Sequence, residues 1–318
     1  ALALAGCGDD PVAPDTIANE PVPAAAGAGD AAAGGEAVEP VTAALTSVPI
    51  VFMSYRIGDH PDIYRMDASG NAVNRLTTFS GDESAPAFSW NHQRIAMVRR
   101  RLDASKVEHE DIYIMNADGS NKHWALGSPH SFTIMDPSWS PDGARLVVTV
   151  IVQNDPYLAV MTPSTGAFSY VISDGHLVQG RNASFSPSGK SLLFVDPTGL
   201  KIREAYLDGD GYDLVNAGVS VGKPTYSPDG KSFAYSRALP GSSNMEIYVQ
   251  NRATYVSKRL TFSSSFDGQP TYSPDGTRIA FESQRSGKTQ IWTMSATGGT
   301  ATRVTHTTTL EASPSWSH

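Results

Sequence analysis

Short apolar runs recur along the chain at intervals of about 45 residues: "RIAMV" from Arg94, "RLVVTVIV" from Arg145, "SLLFV" from Ser191, "SFAYS" from Ser232 and "RIAFES" from Arg278. They are rich in β-branched and aromatic residues and bounded by turn residues, so each predicts a strand. Polar residues barely alternate within them, which means both faces of each strand must be covered. A Φ-Ser step, "P-x-Φ-S" in its fullest form, precedes every run. A third segment recurs as "DIYIMNADGS" at Asp111, "EIYVQN" at Glu246 and "QIWTMSATGG" at Gln290, with "PYLAVMTPSTG" and "LKIREAYLDGDG" as looser copies. A fourth recurs as "SKRLTF" at Ser257 and "ATRVTH" at Ala301. Each unit therefore reads as four short antiparallel strands.

The Φ residues are Phe88, Trp139, Phe185, Tyr226, Tyr272 and Trp316, spaced by 51, 46, 41, 46 and 44 residues. Self-similarity at such a period marks stacked supersecondary units. A four-stranded sheet of this size cannot cover both of its own faces, whereas radial stacking around an axis sandwiches each sheet between two neighbours. The fold class is all-β, a six-bladed β-propeller of four-stranded antiparallel blades.

The two ends of the repeat complement each other. "PIVFMSYR" at Pro49 is a second strand with no predecessor and is followed by "DIYRMDASGN" and "VNRLTTF", while "SPSWSH" at the other end is a first strand with no successor. Ser313–Ser317 is expected to pair with the strand around Ile50–Tyr55, sealing the ring and leaving no open edge. In the "SPDG" turns at Ser140, Ser227 and Ser273, Pro fixes φ, Asp bonds the local backbone and Gly takes the left-handed position. "SPSG" at Ser186 lacks the Asp, and "SWNH" at Ser89 places His92 where Gly belongs, predicting a strained left-handed histidine.

The "P-x-W/Y-S-P-D-G-x-x-I-A-F … I-Y … G-G … R-L-T" repeat resembles that of TolB-type six-bladed propellers. The resemblance covers residues 48–318. TolB proper also carries an N-terminal α/β domain, for which these 318 residues show no counterpart, so the expectation is a propeller relative and not TolB itself.

Charge separates the first 47 residues from the rest, since they carry seven acids and no Lys or Arg out of a net charge of −8. The remaining 24 basic and 25 acidic residues nearly balance, so no basic field for nucleic acid exists. No transmembrane span of about 20 apolar residues occurs. The single cysteine, Cys7, excludes intrachain disulfides. Its setting, "LALAGCG", resembles the end of a bacterial lipoprotein signal peptide, with residues 1–7 as residual signal and lipobox and Cys7 as the lipidated residue. Triacylation, which that resemblance implies, would supply more than the one acyl chain that stable anchoring needs. Gly8 in place of Asp leans towards the outer membrane by the same resemblance. Residues 8–47, rich in Ala, Gly, Pro and acids, are expected to be a disordered tether with a coil span of about 35 Å.

Strand parity puts the first-to-second and third-to-fourth turns on one face and the remaining loops on the other. The second face gathers the variable segments, among them "RRRLDASKVEHE" from Arg99, "TFSGDESA", "GSPHSFTIMD", "SDGHLVQGRN" and "HTTTLEAS", and is the expected binding surface. Acids stand just before four inner strands: Asp82 and Glu83, Asp136, Asp267, and Glu311. As a ring they would attract a basic peptide or hold a hard cation such as calcium in the channel, or else cap inner-strand amides. His130, His176 and His306 share the face at differing offsets, which argues against a three-histidine metal site. "LDGDGYD" at Leu207 departs from a calcium loop at Tyr212. The charge of Arg99–Arg101 is cancelled by Asp103, Glu108, Glu110 and Asp111, and Trp139 and Trp316 read as core.

No G-x-S-x-G, H-E-x-x-H, P-loop or Rossmann glycine run occurs, and no catalytic residue, metal ligand or cofactor is assigned. TolB-type propellers dock a peptidoglycan-associated lipoprotein and a transport partner. That resemblance implies envelope scaffolding; with the lipobox and the loop face, the expectation is a monomeric, lipid-anchored envelope protein, facing periplasm or cell surface, that binds a protein or peptide through Asp82, Glu83, His130, Asp136, Asp267, His306 and Glu311. The alternative is a carbohydrate-active lyase or hydrolase using the acids and histidines of the same face.

Overall fold

The computed structural model describes residues 48–102, 106–127, 132–209 and 211–316. Six four-stranded antiparallel sheets form the ring. Their inner strands are Glu311–Ser315, Asp82–Phe88, Phe132–Trp139, Arg181–Phe185, Val221–Tyr226 and Asp267–Tyr272, which we call blades one to six in that order. The sealed blade runs Glu311–Ser315, Ile50–Ser54, Asp62–Met66 and Asn74–Arg75 from axis to rim. Val51 faces Ser315, Met53 faces Ala312 and Ser54 faces Glu311, so the ring closes as the sequence predicts. The closing strand starts two residues earlier than expected, because the irregular residue Ser313 lies inside it. Trp316 adds a bond from its indole nitrogen to the Val48 carbonyl at 3.1 Å.

The repeated turn is built around its serine. In "SPDG" at Ser227 the hydroxyl donates to Asp229 Oδ1 at 2.7 Å and accepts from the Ser232 amide at 3.0 Å, while Gly230 sits at φ 68°. Ser140 and Ser273 repeat the arrangement. His92 occupies the glycine position at φ 59°, the left-handed conformation expected of it.

Apolar packing runs between blades, as the unalternating strands require. Ala96, Val98, Ile112 and Ile114 of blade two bury themselves against Ile134, Trp139, Leu146, Val148 and Val150 of blade three. The arginines that open several second strands stack on the next blade's Φ residue: Arg94 over Trp139 at 4.5 Å, Arg145 over Phe185 at 5.5 Å and Arg278 over Trp316 at 5.7 Å. Trp139 and Trp316 are accordingly core residues.

Each inner strand breaks register with its neighbour once, a β-bulge between, for example, Ser84 and Ala87 or Gly268 and Thr271. Ala85, Asp136, Asn182, Gln269 and Ser313 adopt φ between 47° and 53° there. Side-chain hydroxyls below the bulges join adjacent inner strands. The Phe88 amide donates to Ser315 Oγ at 3.0 Å, the Trp316 amide to Thr271 Oγ1 at 3.1 Å, and Ser184 Oγ to the Pro224 carbonyl at 3.2 Å.

One element was not expected. "SDGHLVQGRN" forms a two-stranded hairpin, Ile172–Ser173 with His176–Leu177, between blades three and four.

Candidate functional site

Antiparallel topology places the variable loops on one face, with the longest hairpin, Arg94–Leu102 and Glu108–Asn116, reaching towards it. Leu102 at its tip is 65 % exposed, and Ile57 on the neighbouring blade and Phe262 across the ring, on loops of the same face, are exposed as well. The candidate acids do not stand before the inner strands as expected; they lie within them. Counting back from the Φ residue separates them into three classes.

Glu83, Asp267 and Glu311 all occupy the fifth position before Φ, and all are buried. Each meets an arginine from its own blade. Glu311 takes Arg56 Nε at 2.9 Å and the Thr307 hydroxyl at 2.6 Å. Asp267 takes Arg285 at 2.5 Å. Glu83 is 3.6 Å from Arg99 Nε, and neither of its oxygens has a hydrogen-bond partner. Arg99 instead donates to the Tyr113 hydroxyl at 3.1 Å and lies over the Phe79 ring at 4.0 Å. The neighbouring Thr77 hydroxyl donates to Asp62 at 3.0 Å. Burial first, and the charge of Asp62 second, push the Glu83 carboxyl up to about 7. Burial also raises Asp267, against Ser283 and Arg285. Each of these carboxylates lies beside an arginine of its own blade, and Glu311 also takes a threonine hydroxyl.

Asp82, one residue further out, is half-exposed and bonds His60 at 2.6 Å, a contact that raises the imidazole pKa. His306 is exposed. His176 sits on the extra hairpin with its ring nitrogen 2.7 Å from the Asp174 carbonyl. His130 and Cys7 lie outside the described residues. Among the described residues no three His, Cys, Asp or Glu side chains gather in metal-binding fashion. "LDGDGYD" runs through a third-to-fourth-strand turn, with the Tyr212 hydroxyl donating to Glu204 at 2.9 Å.

The repeated "D/E/Q-I-Y/W … R-L/V-T" signature has a structural meaning. Asp62 takes Arg75 at 2.6 Å and the Thr77 hydroxyl, and Glu246 takes Arg259 at 2.9 Å and the Thr261 hydroxyl at 2.5 Å. In blade six Arg303 donates to Gln290 at 3.1 Å. The motif pins third strand to fourth, leaving its acids no surface role.

Asp136 alone among the candidates occupies the third position before Φ, where the bulge turns side chains towards the axis. Its counterparts around the ring are Ala85, Asn182, Lys223, Gln269 and Ser313, and all six line one central cavity of about 120 Å³. A second ring below holds Ser138, Ser184, Thr225, Thr271 and Ser315. Asp136 Oδ2 accepts from Thr149 at 3.1 Å and from the Asn182 amide at 3.3 Å. Lys223 forms no ion pair or hydrogen bond with a described residue. Burial lowers its pKa, opposed by the charges of Asp136 and Glu282, and burial raises both of those carboxyls. Glu282 stands behind the ring and accepts from the Ser313 amide at 3.1 Å. Sequence reading missed Lys223, Asn182 and Glu282. The signal available for the first two was their fixed offset from Φ, three residues, which separates the axis from the rim.

Comparison with known proteins places this geometry. Residues 209–318 match the family model described as TolB beta propeller domain. A TolB homolog of Chlorobium chlorochromatii is 32% identical over 142 residues, covering 42% of this chain and 30% of that protein. The Tol-Pal system protein TolB of Francisella tularensis is 26% identical over 207 residues, covering 62% of this chain and 45% of that protein. The chain thus spans less than half the length of these curated relatives. The crystal structure of TolB from Acinetobacter baumannii superposes with a TM-score of 0.73 at 20% identity, over 86% of this chain and 67% of that one. The chain is a six-bladed β-propeller whose repeat and ring of blades are similar to those of TolB-type propellers.

Proposed function

We propose that this protein is a lipid-anchored platform of the bacterial envelope that docks a protein or peptide on its loop face. Support comes from the TolB-type repeat, shared with proteins named as members of a Tol-Pal system, together with the gathering of irregular loops on one face of a rigid ring. The observation that carries the reading is the long hairpin of blade two, which carries exposed Leu102 and Val107 at its end. Exposed apolar side chains on a scaffold-borne loop suit a docking contact. Because the acids at the fifth position are paired with arginines, we expect apolar and polar contacts at the loop tips to dominate over attraction of a basic peptide. The anchor is Cys7, at the end of the tether formed by residues 8–47.

Photo-crosslinking in intact cells tests the docking face. A crosslinking residue at Leu102 should trap one envelope protein, whereas the same residue at Asp229, in a turn of the opposite face, should trap none. Adducts confined to Asp229 would overturn the choice of face. Fatty-acid labelling that persists in Cys7→Ser would overturn the anchor.

A further inference from the structure

We propose that the central shaft binds a small zwitterion of the α-amino-acid class, its carboxylate on Lys223 Nζ and its ammonium on Asp136 Oδ1. This goes beyond the docking proposal and does not depend on it.

Four observations lead there. First, Lys223 lines the shaft and forms no ion pair or hydrogen bond with a described residue. A half-buried ammonium with no protein partner is open to a ligand carboxylate. Second, both hydrogen bonds to Asp136 fall on Oδ2, which leaves Oδ1 to accept from a ligand. Third, the two residues line the same cavity with only Asn182 between them in the ring, so one small molecule can reach both. Fourth, the ring of six carries one positive and one negative side chain. A simple anion would gain Lys223 and be repelled by Asp136, and a simple cation would meet the reverse. Only a molecule carrying both charges is attracted at both ends. Glu282, behind Ser313, adds negative charge that disfavours a plain anion further.

Size narrows the class. A cavity of about 120 Å³ accommodates about four waters, at about 30 Å³ each, which suits glycine, alanine or serine and rejects large side chains. The hydroxyls of Ser138 and Thr225 just below the ring offer polar contacts to a short side chain.

Isothermal titration of the full chain with L-alanine and L-serine, and with lactate and ethylamine as carriers of one charge each, tests the proposal. We expect the amino acids to bind with a Kd below about 1 mM, and the single-charge probes to bind at least about tenfold more weakly. Lys223→Met and Asp136→Asn should each weaken alanine binding by at least about tenfold, a loss of about 1.4 kcal/mol, while crosslinking from Leu102 persists. Should either variant fail to fold, the wild-type preference for alanine over lactate and ethylamine decides alone. The proposal is overturned by absence of binding to any amino acid, by lactate or ethylamine binding as tightly as alanine, or by unchanged affinity in a folded Lys223→Met variant.

Discussion

Glu311 and Glu83 hold the same position in two neighbouring blades, five residues before an inner aromatic, and both are buried beside an arginine. Yet Glu311 is held by two donors within 2.9 Å, whereas Glu83 is 3.6 Å from its arginine with both oxygens unpartnered. The difference lies in what else the arginine does. Arg56 stacks over Phe52 and Tyr64 at 5.4 Å each and still points Nε at its carboxylate. Arg99 is drawn over Phe79 and onto the Tyr113 hydroxyl. A buried carboxylate is stable as an anion only when its partner is free to turn to it.

Removing the carboxylates should break this comparison in order of how well each is held. Glu311→Ala leaves Arg56 uncompensated inside the sealed blade and should cost about 3–5 kcal/mol, read as a lowered urea midpoint; an unchanged midpoint would mean the pair is idle. Asp267→Ala should cost less, about 2–3 kcal/mol, because burial already raises the pKa of its carboxyl. Glu83→Gln should go the other way. Its folded pKa of about 7 lies above the ordinary 4.5, so its contribution is fully present below about pH 4.5 and is lost as pH rises through 7. The wild type should lose up to about 3 kcal/mol across that window, and the Gln variant should lack that slope and be the more stable protein at pH 8. A Gln variant whose pH profile overlays the wild type would refute the account. Asp82→Asn is the mildest test: stability should not change measurably, because the pair with His60 is exposed, but the His60 pKa, followed by NMR, should fall towards its ordinary value.

Much of the architecture was legible because it rests on local chemistry repeated six times. "SPDG" specifies a turn through its own atoms, and even the exception at His92 kept its left-handed φ. The seal could be foreseen because a lone first strand and a blade missing one must meet. The site was less legible. Asp136, Asp267 and Glu311 look alike in sequence, but Asp136 sits in the bulge of its inner strand and the other two lie two residues before theirs. The charge of the "RRR" run at Arg99 reads as cancelled, and Arg100 is indeed matched by Glu110 and Arg101 by Asp111. Arg99 nevertheless turns inward onto aromatic residues of its own and the adjoining loop, which charge counting alone does not reveal.

The seal also sets an order on the birth of this molecule. Val48 and Trp316, joined by one hydrogen bond, stand 268 residues apart, so a ribosome must make nearly the whole ring before its first-made strand gains its axial partner. Until then the edge of Ile50–Ser54 stays open to any strand that comes near. Holdase protection of the nascent chain should matter most in that interval and cease to matter once the final tryptophan is in place.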